Sequence, residues 1–267
     1  MKQPTIQIEN LTIGYQTKGK QKTVAKNISA TLYGGELTCL LGANGVGKST
    51  LLRTLSTAQT QLAGKVYIKG KETTEYTNKE LSHLIALVLT ERPDIQNITA
   101  TELVGLGRTP YTDFWGKLTP EDNRIVEESL KLVGITNLAS RMVHTLSDGE
   151  KQKVMIAKAL AQETPIIFLD EPTAFLDFPS KVEMMILLRK LSQQTNKTIF
   201  LSTHDVELAL QIADKIWLMS KTEGIAIDTP QALSDNGIIE KFFYHKDLIY
   251  NSEERIFKVI QEQVRIE

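Results

Sequence analysis

The run Gly42-Ala-Asn44-Gly45-Val-Gly47-Lys48-Ser49 combines residue types that suit one task, holding a chain of phosphates. Its glycines let the backbone fold closely round an anion, with successive N–H groups turned inward at the start of a helix. Lys48 adds a mobile point charge for β- and γ-phosphates, and the Ser49 hydroxyl suits Mg²⁺. The context agrees: an apolar stretch at 37–41 leads into the loop and a helical stretch at 50–55 leaves it. A second requirement is met by Ile166-Ile-Phe-Leu-Asp170-Glu171, an acid pair ending an apolar strand 122 residues after Lys48. Asp170 would serve the Mg²⁺ shell, and Glu171 would stand where a water can attack the γ-phosphate. His204, in Ser202-Thr-His-Asp205 at the end of the next strand, is placed to sense that phosphate. The single cysteine, Cys39, lies in the strand below the loop and reads as a small buried hydrophobe.

Such groups need a scaffold that brings strand ends together. The chain has 267 residues, a formal charge of -1 and 41% hydrophobic residues, which is ordinary globular composition. The charge balance argues against a nucleic-acid partner, and one cysteine excludes an internal disulfide. Alternation predicts strands at 5–13, 28–32 and 66–68, with a turn at Gly34-Gly35. Helix starts are expected at Thr99-Ala-Thr-Glu102 and Thr119-Pro120-Glu121-Asp122, where a hydroxyl precedes acids in the first turn. Apolar strands at 166–169, 198–201 and 216–219 then alternate with helices near 181–191 and 206–213. That alternation implies a parallel sheet covered on both faces. The expected architecture is one α/β domain spanning 1–267, a nucleotide-binding core with an antiparallel β flank and an inserted helical subdomain at about 91–160. The charged run at 18–22 reads as a solvated loop, and the aromatic segment 111–115 is expected to pack locally. No run approaches the ~18–20 apolar residues that cross a bilayer, and the N-terminus lacks a signal-peptide core, so a cytosolic protein is expected.

Between loop and acid pair lies Leu146-Ser147-Asp148-Gly149-Glu150, followed by KQKVMIAKALAQ. With these motifs in this order, the sequence resembles the ATP-binding-cassette (ABC) ATPases over roughly residues 5–230. The resemblance implies a RecA-like P-loop NTPase core with a mostly parallel sheet, and ATP with Mg²⁺ as ligands. It makes Gly42 to Thr50 the Walker A motif, Asp170-Glu171 the end of Walker B and His204 the switch histidine. It also implies that Tyr15 stacks on adenine and that Asp177, in Phe175-Leu-Asp177, belongs to the D-loop. Ser147-x-x-Glu150 is in addition a capping box for a helix with Val154, Ala157 and Ala161 on its inner face. In the family such a helix end closes over ATP bound at the counterpart of Lys48 in a second copy, which implies an ATP-driven homodimer.

Three positions, in two motifs, depart from the family pattern. The signature is usually Leu-Ser-Gly-Gly-Gln, so Asp148 replaces a glycine and Glu150 the glutamine; the Asp148 carboxylate is expected to project away from the interface. Thr90 stands where the Q-loop has glutamine, and the neighbouring Glu91 is the candidate substitute toward Mg²⁺ or its waters. Glu102-Leu-Val-Gly-Leu-Gly-Arg108-Thr-Pro-Tyr and the helix after it most resemble ATPases of iron–siderophore, haem or cobalamin importers. That likeness implies integral-membrane permease subunits, a substrate-binding protein and a peripheral place on the cytoplasmic face of the membrane. The alternative is a non-transport ABC ATPase of translation or DNA repair. Those usually carry two cassettes or a long insertion, and the separation of only 99 positions from Lys48 to Ser147 leaves no room for either. A guanine-nucleotide switch is excluded because Asn196-Lys-Thr-Ile199 lacks the base-reading aspartate.

Overall fold

The computed structural model of the chain describes residues 3–17, 20–90, 96–113 and 115–260. In chain order the elements are β1 (Pro4–Thr17), β2 (Lys20–Tyr33), β3 (Leu37–Gly42), α1 (Lys48–Leu55), β4 (Ala63–Ile68), β5 (Lys71–Glu72), α2 (Asn78–Ser82) and β6 (Ile85–Val88). Then come α3 (Ala100–Gly105), α4 (Pro120–Leu132), α5 (Asp148–Ala161), β7 (Ile166–Asp170), α6 (Phe178–Thr195), β8 (Thr198–Ser202), α7 (Val206–Ile212) and β9 (Lys215–Ser220). The chain closes with β10 (Gly224–Asp228), α8 (Pro230–Asp235), α9 (Ile238–Phe242), β11 (Leu248–Asn251) and β12 (Ile256–Val259).

The central sheet runs β10-β9-β3-β8-β7-β6, parallel from β9 to β6 with β10 antiparallel at one edge. Every residue of β7 and β8 is buried, as a strand covered on both faces requires. The pleat divides their side chains: Ile167, Leu169, Ile199 and Leu201 enter the core shared with α5 and α6, whereas Phe168 and Phe200 face the core that includes α1, β1, β2 and β4. On that second side Phe168, Phe200 and Trp217 stack edge to face, with centroids 5.8 and 5.2 Å apart. The antiparallel flank is β2-β1-β4-β5.

Two local expectations change. β1 and β2 are 14 residues each, so Lys20 to Lys22 belong to a strand and not to a solvated loop, while 18 and 19 of that run lie outside the described residues. The first four residues of β2 are exposed, so no alternation marks them, and pairing with β1 holds them instead. Tyr111 packs locally, its ring 4.6 Å from His83 and 3.9 Å below the Arg108 guanidinium, but Trp115 is 84% exposed. The antiparallel edge strand β10 and the C-terminal helices and hairpin carry too little periodicity to be foreseen.

The helical block is pinned by its own polar contacts. Thr99 with Glu102, Thr119 with Asp122 and Ser147 with Glu150 all form reciprocal capping boxes at helix starts. Buried Arg108 donates to Asp122 Oδ1 at 2.8 Å, to the Ala161 carbonyl at 2.8 Å and to Glu163 Oε2 at 2.7 Å. The Thr119 hydroxyl and N–H, then Arg108, hold the Asp122 carboxyl down at about 2. The Gln162 amide donates to the carbonyls of Ser82 (2.7 Å) and Ile85 (3.0 Å), tying the end of α5 to the edge of the central sheet. Among the described residues, no helix is long and apolar enough to cross a membrane.

Candidate functional site

β3 delivers the phosphate loop, and α1 begins without a side-chain cap, so its first N–H groups remain available to an anion. Gly47 takes φ 116°, and a Cβ there would sit 2.1 Å from Val24 Cγ1; only glycine fits. Lys48 is buried, and its ammonium donates to the carbonyls of Gly42 (2.9 Å) and Ala43 (3.4 Å). It also lies 3.5 Å from both ring nitrogens of His204. Burial pulls the Lys48 amine below its usual range, opposed by Glu171 and then Asp170.

A cavity of about 550 Å³ opens above the loop, lined by Asn44, Gly45, Gly47, Lys48, Ser49 and Thr50, with Tyr15 and Glu171 on its walls. Tyr15 is half exposed, and its hydroxyl shares a 2.5 Å hydrogen bond with Thr50 Oγ1. Lys22 and Lys221 also line the cavity, which sequence reasoning missed. Lys22 arrives there as the ladder partner of Tyr15, and Lys221 directly follows β9, the neighbour of β3.

Asp170 ends β7 with Oδ1 accepting from Ser202 Oγ at 2.6 Å and from Ser49 Oγ at 3.3 Å. A hydroxyl beside a carboxylate is the hard-oxygen donor set that Mg²⁺ takes together with phosphate oxygens and water, so Ser49 and Asp170 fit that ion. Among the described residues no group of three or more His, Cys, Asp or Glu side chains could hold a metal by itself. Glu171 adopts φ 51°, its N–H donating to Ser202 O (3.1 Å) and Oγ (3.0 Å), and Oε1 lies 2.5 Å from His204 Nε2. Thr90 donates through Oγ1 to the Asp170 carbonyl at 2.7 Å. Neither Ser202 nor Thr90 was foreseen in these contacts. Glu91, the candidate substitute in the Q-loop, lies outside the described residues. Cys39 is fully buried, and burial pushes its thiol far above the usual range, as a core residue requires.

The remaining candidates lie apart. Ser147 caps α5, and the Glu150 carboxylate accepts from the Ser147 N–H at 2.8 Å, the contact that chiefly holds it below the usual range. Asp148 is exposed in the first turn. At Gly149 a Cβ would meet only Leu176 Cδ2 at 3.8 Å, an ordinary contact. Asp177 caps α6, with Oδ1 accepting from the Ser180 N–H at 3.1 Å; the Ser180 side chain first, and then this N–H, hold its carboxyl below the usual range. None of Ser147, Gly149 and Asp177 lines the phosphate cavity. The fold thus gathers Tyr15, the loop, Asp170, Glu171 and His204 into one site and leaves the signature residues on another surface.

The sequence profile described as ABC transporter matches residues 25–174. The chain is 36% identical over 235 residues to the ferric enterobactin transport ATP-binding protein FepC of Escherichia coli, covering 88% of this chain and 85% of that one. It is 34% identical over 236 residues to the iron(3+)-hydroxamate import ATP-binding protein FhuC of Bacillus subtilis, covering 86% of each. Among solved structures, the dimeric structure of a bacterial ABC transporter cassette superposes with a TM-score of 0.71 at 29% identity, covering 84% of this chain and 98% of that one. With a P-loop core, an antiparallel flank and a capped signature helix all in place, this chain belongs to the ABC transporter family and is an ATP-binding subunit of it.

Proposed function

We propose that the chain is the Mg²⁺-dependent, ATP-hydrolysing subunit of a membrane importer. Its cargo would be of the iron–siderophore, haem or cobalamin type, and the names of the two relatives favour the first. The carrying observation is a set of contacts to three side chains that line one cavity: Asp170 meets Ser49, and His204 meets both Lys48 and Glu171. Tyr15 at the rim would stack on adenine, and the loop N–H groups with Lys48 would hold the phosphates. When bound through Ser49 and Asp170, Mg²⁺ would neutralise charge on the β- and γ-phosphate oxygens. Glu171 would accept the proton of the attacking water as its oxygen bonds to the γ-phosphorus and the bond to ADP breaks. His204, touching both Glu171 and Lys48, would hold these two side chains in register with the γ-phosphate.

The other half of each site would come from a second copy. Ser147 and Gly149 at the start of α5 would meet the γ-phosphate across the dimer, with Asp177 of the adjoining segment at the same boundary. Permease subunits would receive the motion at the cytoplasmic face of the membrane, and a substrate-binding protein would bring the cargo. The likeness of the chain is similar to an enterobactin and to a hydroxamate ATPase, which supports a shared engine and leaves the choice of cargo to the partners. Hydrolysis by purified Glu171→Gln tests the reading: the variant should still bind ATP and turn over ~10²–10⁴ times more slowly, and full turnover would overturn the assignment. Co-purification from native membranes, followed by uptake assays on the permease recovered, tests the transport class.

A further inference from the structure

The Asp170 carbonyl and the Glu171 N–H belong to one planar peptide unit, and both ends of that unit are held. On the β8 side the N–H donates to Ser202 O and Oγ, at 3.1 and 3.0 Å. On the β6 side the carbonyl accepts from Thr90 Oγ1 at 2.7 Å. Val88 is the last residue of β6 to pair with β7, so Thr90 reaches the carbonyl through its side chain after the ladder has ended. The orientation of this plane sets φ of Glu171, which is 51°, a left-handed value that a residue with a Cβ adopts only when its surroundings impose it. In that conformation the Glu171 carboxylate meets His204 Nε2 at 2.5 Å.

We propose that Thr90 is a positioning residue for Glu171, its hydroxyl fixing the Asp170–Glu171 peptide from the side opposite Ser202. The inference rests on the reading of Glu171 as the general base. Thr90 touches no reacting atom; it acts through the backbone on the direction of the carboxylate. Loss of its hydroxyl frees the carbonyl end of the plane, so Glu171 spends less time aimed at its water, while the phosphate loop and Tyr15 stay as they are.

The test uses the purified full chain with Thr90→Val, Thr90→Ser and Glu171→Gln, measuring ATP affinity, kcat and thermal midpoint. Loss of one neutral hydrogen bond predicts a kcat about five- to tenfold lower in Thr90→Val, with ATP affinity within about twofold of wild type. Thr90→Ser should recover kcat to within about twofold, since it restores the donor. Added to Glu171→Gln, Thr90→Val should lower the residual single-turnover rate by less than about twofold, because the two residues act through one group. An unchanged kcat in Thr90→Val overturns the inference, as do equal losses in both backgrounds or a parallel fall of affinity and thermal midpoint. If Thr90→Val does not fold, Thr90→Ala carries the same comparison, and failure of both assigns the hydroxyl to the scaffold and overturns the proposal. Full turnover by Glu171→Gln alone marks failure of the underlying reading; a normal Thr90→Val beside a slow Glu171→Gln marks failure of this inference alone.

Discussion

Two helix starts in this molecule have the same electrostatic character and opposite circumstances. α1 begins uncapped above a cavity of about 550 Å³, where side chains from the ends of β7 and β8 converge with the loop that leaves β3. α5 begins exposed, with Ser147 and Glu150 satisfying each other. Their glycines differ in the same way. Gly47 is demanded by its own chain, through φ 116° and the closeness of Val24, whereas nothing among the described residues of its own chain demands Gly149. A glycine that costs helix stability without a local reason points to a surface that must be approached closely. In the function proposed above, one helix start is a site in itself, and the other is half of a site whose remainder lies in a second copy.

Substituting the two glycines is the sharpest way to break this contrast. Gly47→Ala should lower ATP affinity by about a hundredfold or more, because the loop can no longer close on the phosphates. Gly149→Ala should leave the ATP affinity of the isolated chain unchanged and cut turnover by about tenfold, while its thermal midpoint holds or rises, since alanine is favoured in a helix by up to ~1 kcal/mol. Equal loss of ATP affinity in both, by equilibrium nucleotide titration, would erase the distinction between the two helix starts.

A smaller effect concerns the block that carries α5. The Asp122 carboxyl is held at about 2, below its ordinary 3.8, so it stabilises the fold fully above 3.8 and loses that contribution as pH falls toward 2. Urea midpoints should therefore show Asp122→Asn less stable than wild type at neutral pH, with the gap closing between about pH 4 and pH 2. A gap that stays constant across that range would mean that the carboxylate charge is not what holds α4 to Arg108. The smallest effect is expected at Asp148. If its carboxylate projects away from the interface as expected from its place in the first turn, Asp148→Gly should change ATPase activity by less than about threefold, the scale of a surface charge at a helix end. A rise of tenfold or more would instead make Asp148 a brake facing the phosphate.

The parts of the site that the sequence reveals are those whose chemistry is local. The loop, the acid pair and the capping boxes each lie within a few residues, so type and spacing identify them. Ser202 and Thr90 reach Asp170 across 32 and 80 residues of chain, and only the side-by-side placement of β6, β7 and β8 brings them there. The same holds for Lys22 and Lys221, which reach the cavity because β2 pairs with β1 and β9 lies beside β3. The first four residues of β2 are polar and exposed, so they hide the start of a strand inside a charged run.

The central claim is that ATP completes the site by joining two copies, and sedimentation velocity of Glu171→Gln tests it most directly. This variant should retain bound nucleotide long enough for the closed state to accumulate. Dimers with ATP and mainly monomers without it are the predicted result; a strictly monomeric species with ATP bound would contradict the account.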